Sequence, residues 1–418
     1  MTAGATLKVM AVTGPAAGLA TAFARIGQLA SLRPVHEAFG WLHLHEQQIM
    51  AWQQELVMVA APPFGEGPRA EWLCGKFREL ELDDVGLDGI GNAVGVYRGE
   101  ESGGACVLLS AHIDTVFPAD TPIEPQLNGT RLTAPGACDN GAGVAALLAV
   151  AAALGHAGIR PACDLVFVGN VGEEGEGNLR GMRHFYQHAP LRDRVAAHVV
   201  LDGAGHEVAV THALGSRRYL VTIAGPGGHS WTDAGRANPV VVLSRAIAGL
   251  GDLNLSTKPR TTLNVGTIEG GTSVNAIPEQ VTARFDARST DAEQLIRLEV
   301  EIHRAVEDAV IEANEGVKRE HALRFSIEMI GDRPAGALAE HSIIFENLRA
   351  VDRHLGIRSE TRIASTDANI PLSLGVPALS LGAGGDGGGI HTRNEWYDAR
   401  GRELGLRRIL LLLLACCS

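Results

Sequence analysis

Residues 105–115 read Ala-Cys-Val-Leu-Leu-Ser-Ala-His-Ile-Asp-Thr. The nearly unbroken apolar run at 105–111 predicts a strand covered on both faces, as in a parallel sheet. The strand gives way to polar residues at its end, so His112 and Asp114 fall at its carboxyl edge. Open α/β sheets bind their ligands at that edge. One residue separates the two, and an Asp at that spacing can accept the second ring N–H of a His and fix its tautomer for metal binding. Alone, the pair fits a structural hydrogen bond equally well.

Working outward, strands are expected at 93–97, 164–170, 198–202 and 378–381. Helices are expected at 35–60, 69–80 and, rich in Ala, at 141–154. Buried strands alternating with helices predict a mostly parallel α/β sheet. The pattern changes near Gly215. A half-exposed strand at 217–224, a helix at 238–250, strands at 261–268 and 281–288, a long helix at 292–313 and a strand at 323–330 follow. That order, β-α-β-β-α-β, is the ferredoxin-like arrangement. After Gly331 the α/β pattern resumes. The expected organisation is one α/β domain, 1–214 with 332–418, interrupted by an α+β domain at 215–331.

Composition narrows the function classes. Of 418 residues, 45% are hydrophobic and 20% charged, as in a folded globular protein. Lys and Arg number 36 against 48 Asp and Glu, a net charge of −12 without any basic run, which argues against nucleic-acid binding. No apolar stretch reaches the roughly 18–20 residues of a membrane span, so no membrane partner is expected. The apolar run 409–417 reads as a last buried helix. Residues 9–24, behind Lys8, faintly resemble an export segment, although Gly14-Pro15 and Gly18 interrupt them. The six cysteines form no C-x-x-C pair, so the chain is no disulfide scaffold and a cytoplasmic location is the default. Any metal site must use His and carboxylates.

Four further segments complete a candidate site. Asp139, in Gly136-Ala-Cys-Asp-Asn-Gly-Ala-Gly143, stands at the mouth of the Ala-rich helix, where it fits an N-cap or a metal ligand. Strand 164–170 runs into Val171-Gly-Glu-Glu-Gly-Glu-Gly177. Its glutamates repel one another unless positive charge is near; a solvated acidic loop is the alternative. Glu173 and Glu174 are adjacent and cannot share one role. One can bind a metal while the other reaches an activated water. Asp202 ends another strand, and Gly387-Gly-Gly-Ile-His391 delivers an imidazole. Hard oxygen ligands with two imidazoles suit Zn, Co or Mn. Five ligands are one too many for a single tetrahedral ion, which favours two ions sharing a bridging carboxylate. His43, His45 and Glu46 do not make H-E-x-x-H, and His184 with His188 reads as a surface pair. The glycine-rich segments 225–228 and 382–389 lack phosphate-loop and dinucleotide spacing.

Together these motifs resemble the di-zinc family of aminoacylase, carboxypeptidase G, acetylornithine deacetylase and tripeptide aminopeptidase, over about residues 40–400. The residues that carry the resemblance are His112-x-Asp114, Asp139 with Asn140-Gly-Ala-Gly, Glu173-Glu174, Asp202, Gly228-His229-Ser230, Gly266-Thr-Ile-Glu-Gly-Gly, Asn275-x-Ile-Pro, Asp286-x-Arg288 and His391-Thr. The segments His-Ile-Asp-Thr-Val-Phe-Pro (112–118) and Ser-Thr-Asp-Ala-Asn-Ile-Pro (365–371) look closest to the tripeptide aminopeptidase-like branch.

The resemblance implies a zinc-peptidase-like catalytic domain with a lid and dimerisation domain inserted, and a homodimer formed through the lid. It implies one ion on His112 and Asp202, another on Glu174 and His391, and Asp139 bridging them. Asp114 would orient His112, and Glu173 would be the general base. His229 would reach the partner subunit's site and stabilise the oxyanion. Asn275 and Arg288 would bind substrate, with a salt bridge from Arg288 to Asp286 or a neighbour as the alternative for Arg288. Some branches carry Asp or Lys where this chain has Asn140. The implied reaction is hydrolysis of an amide in a small peptide, with N-acyl-amino-acid deacylation as the alternative. A non-enzymatic binding module is the rival from another class.

Overall fold

The computed structural model describes residues 19–417. They form two compact units, 19–213 with 337–417, and Leu214–Gly336.

The first unit is built on a sheet in the order Asp83–Leu87, Ala93–Tyr97, Asp164–Asn170, Cys106–His112, Val195–Leu201, Ala378–Leu381, Val208–Ala213, with Glu360–Ala364 also paired to the last of these. The middle four strands run parallel to one another. The two strands leading the order pair antiparallel with their neighbours, and Val208–Ala213 pairs antiparallel with Ala378–Leu381 and parallel with Glu360–Ala364. Cys106–His112 and Asp164–Asn170 are buried at every position, which explains their unbroken apolar sequences. Helix Gly141–His156 is buried from Gly141 through Leu154 and needs no polar face. It packs against strand Cys106–His112 and against helices Arg33–Leu44 and Glu46–Val57.

Those two helices replace the single helix expected at 35–60. The break falls at His45, where φ is −109°. Its N–H donates to Trp41 O at 3.0 Å and its ring Nδ1 lies 2.9 Å from the same oxygen. The apolar stripe crosses the break undisturbed, from Val35, Ala38 and Leu42 to Ile49 and Leu56, all buried. Periodicity alone therefore merges the two helices. A further helix, Leu19–Ser31, is one the sequence pattern did not single out; its Ala22, Ile26 and Leu29 enter the main core. Of the export-like stretch at 9–24, residues up to 18 lie outside the described residues. No helix among the described residues is long and apolar enough to cross a membrane.

The second unit has strands Gly215–Ala224, Thr261–Gly270, Gln280–Ser289 and Arg324–Arg333, with helices Pro239–Gly251 and Ala292–Ala313 between them. Sheet order is Thr261–Gly270, Gln280–Ser289, Gly215–Ala224, Arg324–Arg333, with every pair antiparallel. Tyr219, Val221, Ile223, Val281, Ala283 and Phe285 alternate inward to meet Val242, Ile302 and Val306 of the two helices. Asn238 and Asp291 cap the helices through side-chain oxygens. The unit extends past the expected boundary at 331, because its last strand stays paired as far as Arg333 opposite Ser216.

The last helix, Arg402–Cys416, begins before the apolar run that announces it. Arg408 is fully buried, and its guanidinium meets Asp352 through Nε–Oδ1 at 2.6 Å and Nη2–Oδ2 at 2.8 Å. Such a pair contributes little net stability when intact, but removing one partner leaves a bare buried charge. Arg408→Leu is expected to lower stability by about 3–5 kcal/mol, measured as a fall in the urea midpoint. Adding Asp352→Leu should recover part of the loss; a double variant no more stable than the single one would contradict this account.

Candidate metal centre

Parallel pairing sets His112 opposite Asn170, so both chains leave the sheet at the same edge. The Ile113 N–H donates to Asn170 O at 2.8 Å and continues the pairing one step further. Asp114 is fully buried. Its carboxylate accepts the backbone N–H of Glu173 at 3.0 Å and of Glu174 at 2.8 Å. The nearest acceptor to His112 Nδ1 is the main-chain oxygen of Asp114 at 3.1 Å, with the carboxylate at 3.7 Å. Asp114 therefore positions the glutamate loop as well as the imidazole.

At the helix mouth, the N-cap is Asn140. Its Oδ1 accepts the N–H of Gly143 and of Gly203, each at 3.1 Å, and its Nδ2 donates to Leu201 O at 2.8 Å. Gly143 is required for this close approach: a Cβ there would stand 2.2 Å from Asn140 Oδ1. The cap also ties the helix to the loop carrying Asp202. Asp139 is thereby released from capping.

Seven of the predicted residues gather at this edge. His112 Nε2 lies 3.0 Å from Asp139 Oδ1, and His391 Nε2 lies 3.2 Å from Asp139 Oδ2. His391 Nε2 is also 3.0 Å from Glu174 Oε1, and His112 Nε2 is 3.9 Å from Asp202 Oδ1. Glu173 adjoins Glu174, and both are buried. One carboxylate thus faces an imidazole with each oxygen. Ligand atoms of His112, Asp139 and Glu174 fall within 4.8 Å of one another. Asp139 Oδ1 is buried, and His112 Nε2 at 3.0 Å does not meet it with full hydrogen-bond geometry, which leaves an acceptor that a cation would satisfy. The donor set, imidazole and carboxylate only, suits a borderline divalent ion.

Three predicted residues belong to the second unit. The exposed His229 lies in a two-residue strand paired with Ala276–Ile277. Its Nδ1 accepts from the N–H of Trp231 at 3.2 Å and of Thr232 at 3.4 Å, which leaves the ring proton on Nε2. Asn275 is adjacent, its main-chain oxygen accepting Ser230 N–H at 2.9 Å. Arg288 Nε donates to Asp286 Oδ2 at 2.6 Å, the salt bridge that stood as the alternative to substrate binding.

Two residues escaped the sequence reading. Glu395, fully buried, accepts the N–H of Cys138 and of Asp139 at 2.7 Å each and of Gly136 at 3.2 Å, and so shapes the loop that presents Asp139. Nothing local marks it out in the sequence. Asp367 accepts Asn170 Nδ2 at 2.7 Å. Burial raises its carboxyl pKa to about 7. It lies in the quoted segment 365–371, which carried a resemblance but no role.

Residues 108–415 match the profile of peptidase family M20/M25/M40. The chain belongs to this family. It is accordingly a metallopeptidase or amidohydrolase that performs metal-dependent peptide hydrolysis. Among curated relatives, the uncharacterized protein YqjE of Bacillus subtilis is 24% identical over 371 residues, covering 84% of this chain and 94% of that one. A probable carboxypeptidase of Aspergillus clavatus is 31% identical over 212 residues, covering 44% of this chain and 45% of that one. Among solved structures, aminopeptidase PepT from Bacillus cereus superposes with a TM-score of 0.72 at 22% identity, covering 89% of this chain and 99% of that one. The YxeP protein of Bacillus subtilis, described as a dinuclear metal-binding peptidase, gives 0.66 at 15% identity over 89% and 98% of the chains. At these identities the solved structures establish the fold.

The electrostatics of this M20-family site follow from crowding. Burial by itself pushes His112 toward the neutral form, but the carboxylates of Asp114, Asp139 and Asp202 overcome it and hold the imidazole pKa well above its usual value. Burial likewise opposes ionisation of Asp139, yet His112 and His391 hold its carboxyl below the usual range. Burial raises the pKa of Glu174. The hydrogen bond that His391 donates to Asp139, helped by the charge of Glu174, lifts the imidazole pKa to about 9. A metal needs this imidazole neutral, so metal must displace its proton near neutral pH. Metal affinity is expected to rise with pH up to about 9, and calorimetry in buffers of different ionisation heat should count at least one proton released. In the metal-free protein, the His391 proton stabilises the fold fully below 6.5 and ceases to do so as pH rises through about 9. Melting of the chelated protein should fall across that window; a rise would contradict the assignment.

Proposed function

We propose that this chain hydrolyses an amide bond in a small peptide, in the manner of an aminopeptidase or dipeptidase, with two divalent ions, Zn in the first place and Co or Mn as substitutes. The observation that carries the reading is the Asp139 carboxylate between two imidazoles, with Asp202 and Glu174 flanking them. His112 and Asp202 would hold one ion, Glu174 and His391 the other, and Asp139 would bridge. Bound ions of this kind lower the pKa of water and polarise a carbonyl.

The protein's own groups do the rest. Asp114 holds the Glu173 and Glu174 amides, which sets where both carboxylates start. Glu173 accepts a proton from the attacking water and returns it to the leaving amine nitrogen. His229, with its proton on Nε2, is a donor suited to the developing oxyanion. We assign it to the site of a partner subunit in a homodimer formed through the second unit. Asn275 and Arg288 are assigned to substrate; Arg288 must exchange part of its contact with Asp286 for a substrate carboxylate. Six free cysteines fit a reducing, cytoplasmic location.

Chelation should abolish activity, and Zn, Co or Mn should restore it. Glu173→Ala should lower kcat by about 10²–10⁴-fold with metal content unchanged; near-normal turnover would overturn the base assignment. His229→Ala should lose about 10²–10³-fold in kcat. Mixing it with Glu173→Ala should restore part of the activity, and no rescue would argue against a shared site. A panel of tripeptides, dipeptides and N-acyl amino acids separates the peptidase from the deacylase reading.

A further inference from the structure

Phe64 is a large aromatic residue with its side chain in solvent, 66% exposed, and its backbone in the left-handed region at φ 69°. A bulky residue there is sterically disfavoured, and such strain persists only where the surroundings impose it. The surroundings do impose it. The turn is closed by Gly65 N–H on Pro62 O at 2.8 Å, and Ala61 O accepts the N–H of Thr115, the residue after Asp114, at 2.9 Å. One face of the ring carries the Arg180 guanidinium, with Cζ 4.8 Å from the centroid. Arg180 is anchored in turn by the buried Glu66, Nη2–Oε2 2.7 Å. Its Nη1 lies over Gly172, where a Cβ would stand only 2.2 Å away. Gly172 immediately precedes Glu173. The ring is thus one side chain removed from the loop that carries the general base.

The distribution of strain points the same way. The left-handed non-glycine residues among those described are Phe64, Glu81, Asp84, Asn178, Leu179 and His391. His391 is a candidate ligand, and Asn178 and Leu179 close the loop that carries Glu173 and Glu174. Strained residues of this kind collect at functional sites. An exposed, pre-positioned ring, clamped on one face and open on the rest, offers an apolar surface at little further entropy cost.

We propose that Phe64 is a specificity-determining residue of the hydrolase. Its ring is the platform for an apolar side chain of the substrate next to the scissile amide, so the enzyme prefers residues such as Leu over Ala at that position. This rests on the peptide-hydrolysis reading above. Arg180 is a positioning residue that holds the platform.

The test compares Leu- and Ala-containing peptides on the metal-loaded enzyme, as the ratio of their kcat/KM values, in wild type, Phe64→Ala and Phe64→Gly. The same ratio is read without turnover from the binding of leucine and alanine hydroxamates. Wild type should favour Leu, and both variants should lose about tenfold of that preference. Phe64→Gly should not lower the melting temperature, because glycine adopts this φ freely. A wild type indifferent to Leu and Ala, or variants that keep the ratio while losing both substrates equally, overturns the proposal. Absence of any turnover, with the hydroxamate ratio intact and dependent on Phe64, would instead overturn the hydrolase reading and leave the platform standing.

Discussion

Asp114 joins the end of one buried strand to the loop that leaves its neighbour. Its carboxylate takes the two amides of Glu173 and Glu174, and its main-chain oxygen lies against His112 Nδ1. Without those contacts, two adjacent glutamates would be free to turn toward water and away from one another. With them, the loop is held by charge-assisted hydrogen bonds in a buried setting, where such bonds are strongest. The rest of the site depends on this: Glu174 meets His391, and His391 shares Asp139 with His112.

A second layer answers the same electrostatic problem. Asp114, Asp139, Glu173, Glu174 and Asp202 bring acid to one sheet edge, where His112 and His391 supply the only imidazoles of the cluster described above. The formal charge of −12 therefore overstates what a metal-loaded protein would carry. Main-chain N–H groups supply part of the compensation. Three of them fall on Glu395 and two on Asp114. Asn140 also shows why a position where other branches of the family carry a charged residue can be neutral here: it caps the helix and bonds the Asp202 loop at once. Around this edge left-handed backbone recurs at His391, at the buried Leu179 and at the exposed Phe64.

Much of this was legible before any coordinates. Strands Ala93–Tyr97 and Asp164–Asn170 and helix Ala292–Ala313 stand where apolar periodicity sets them. Each owes its pattern to burial that neighbouring sequence reports directly. The break at His45 was not legible, because the helical stripe continues across it. Glu395 was not legible either, since its role is to receive amides more than 250 residues earlier in the chain. Asp367 lay in a quoted segment, yet nothing local could place its carboxyl against Asn170. Arg408 immediately precedes the apolar run of the last helix, and only Asp352 makes it a core residue.

The sequence by itself determined the alternation of elements, the insertion of a β-α-β-β-α-β segment and the residue types able to hold a divalent ion, because side-chain period and strand-end chemistry are local properties. The tertiary structure alone decided which acids do which work. It tied Asn140 to the Asp202 loop and freed Asp139, and gave Asp114 two amides to hold as well as an imidazole. The physical reason is that a carboxylate's role depends on which donors surround it, and here those donors come from chain segments far apart in sequence.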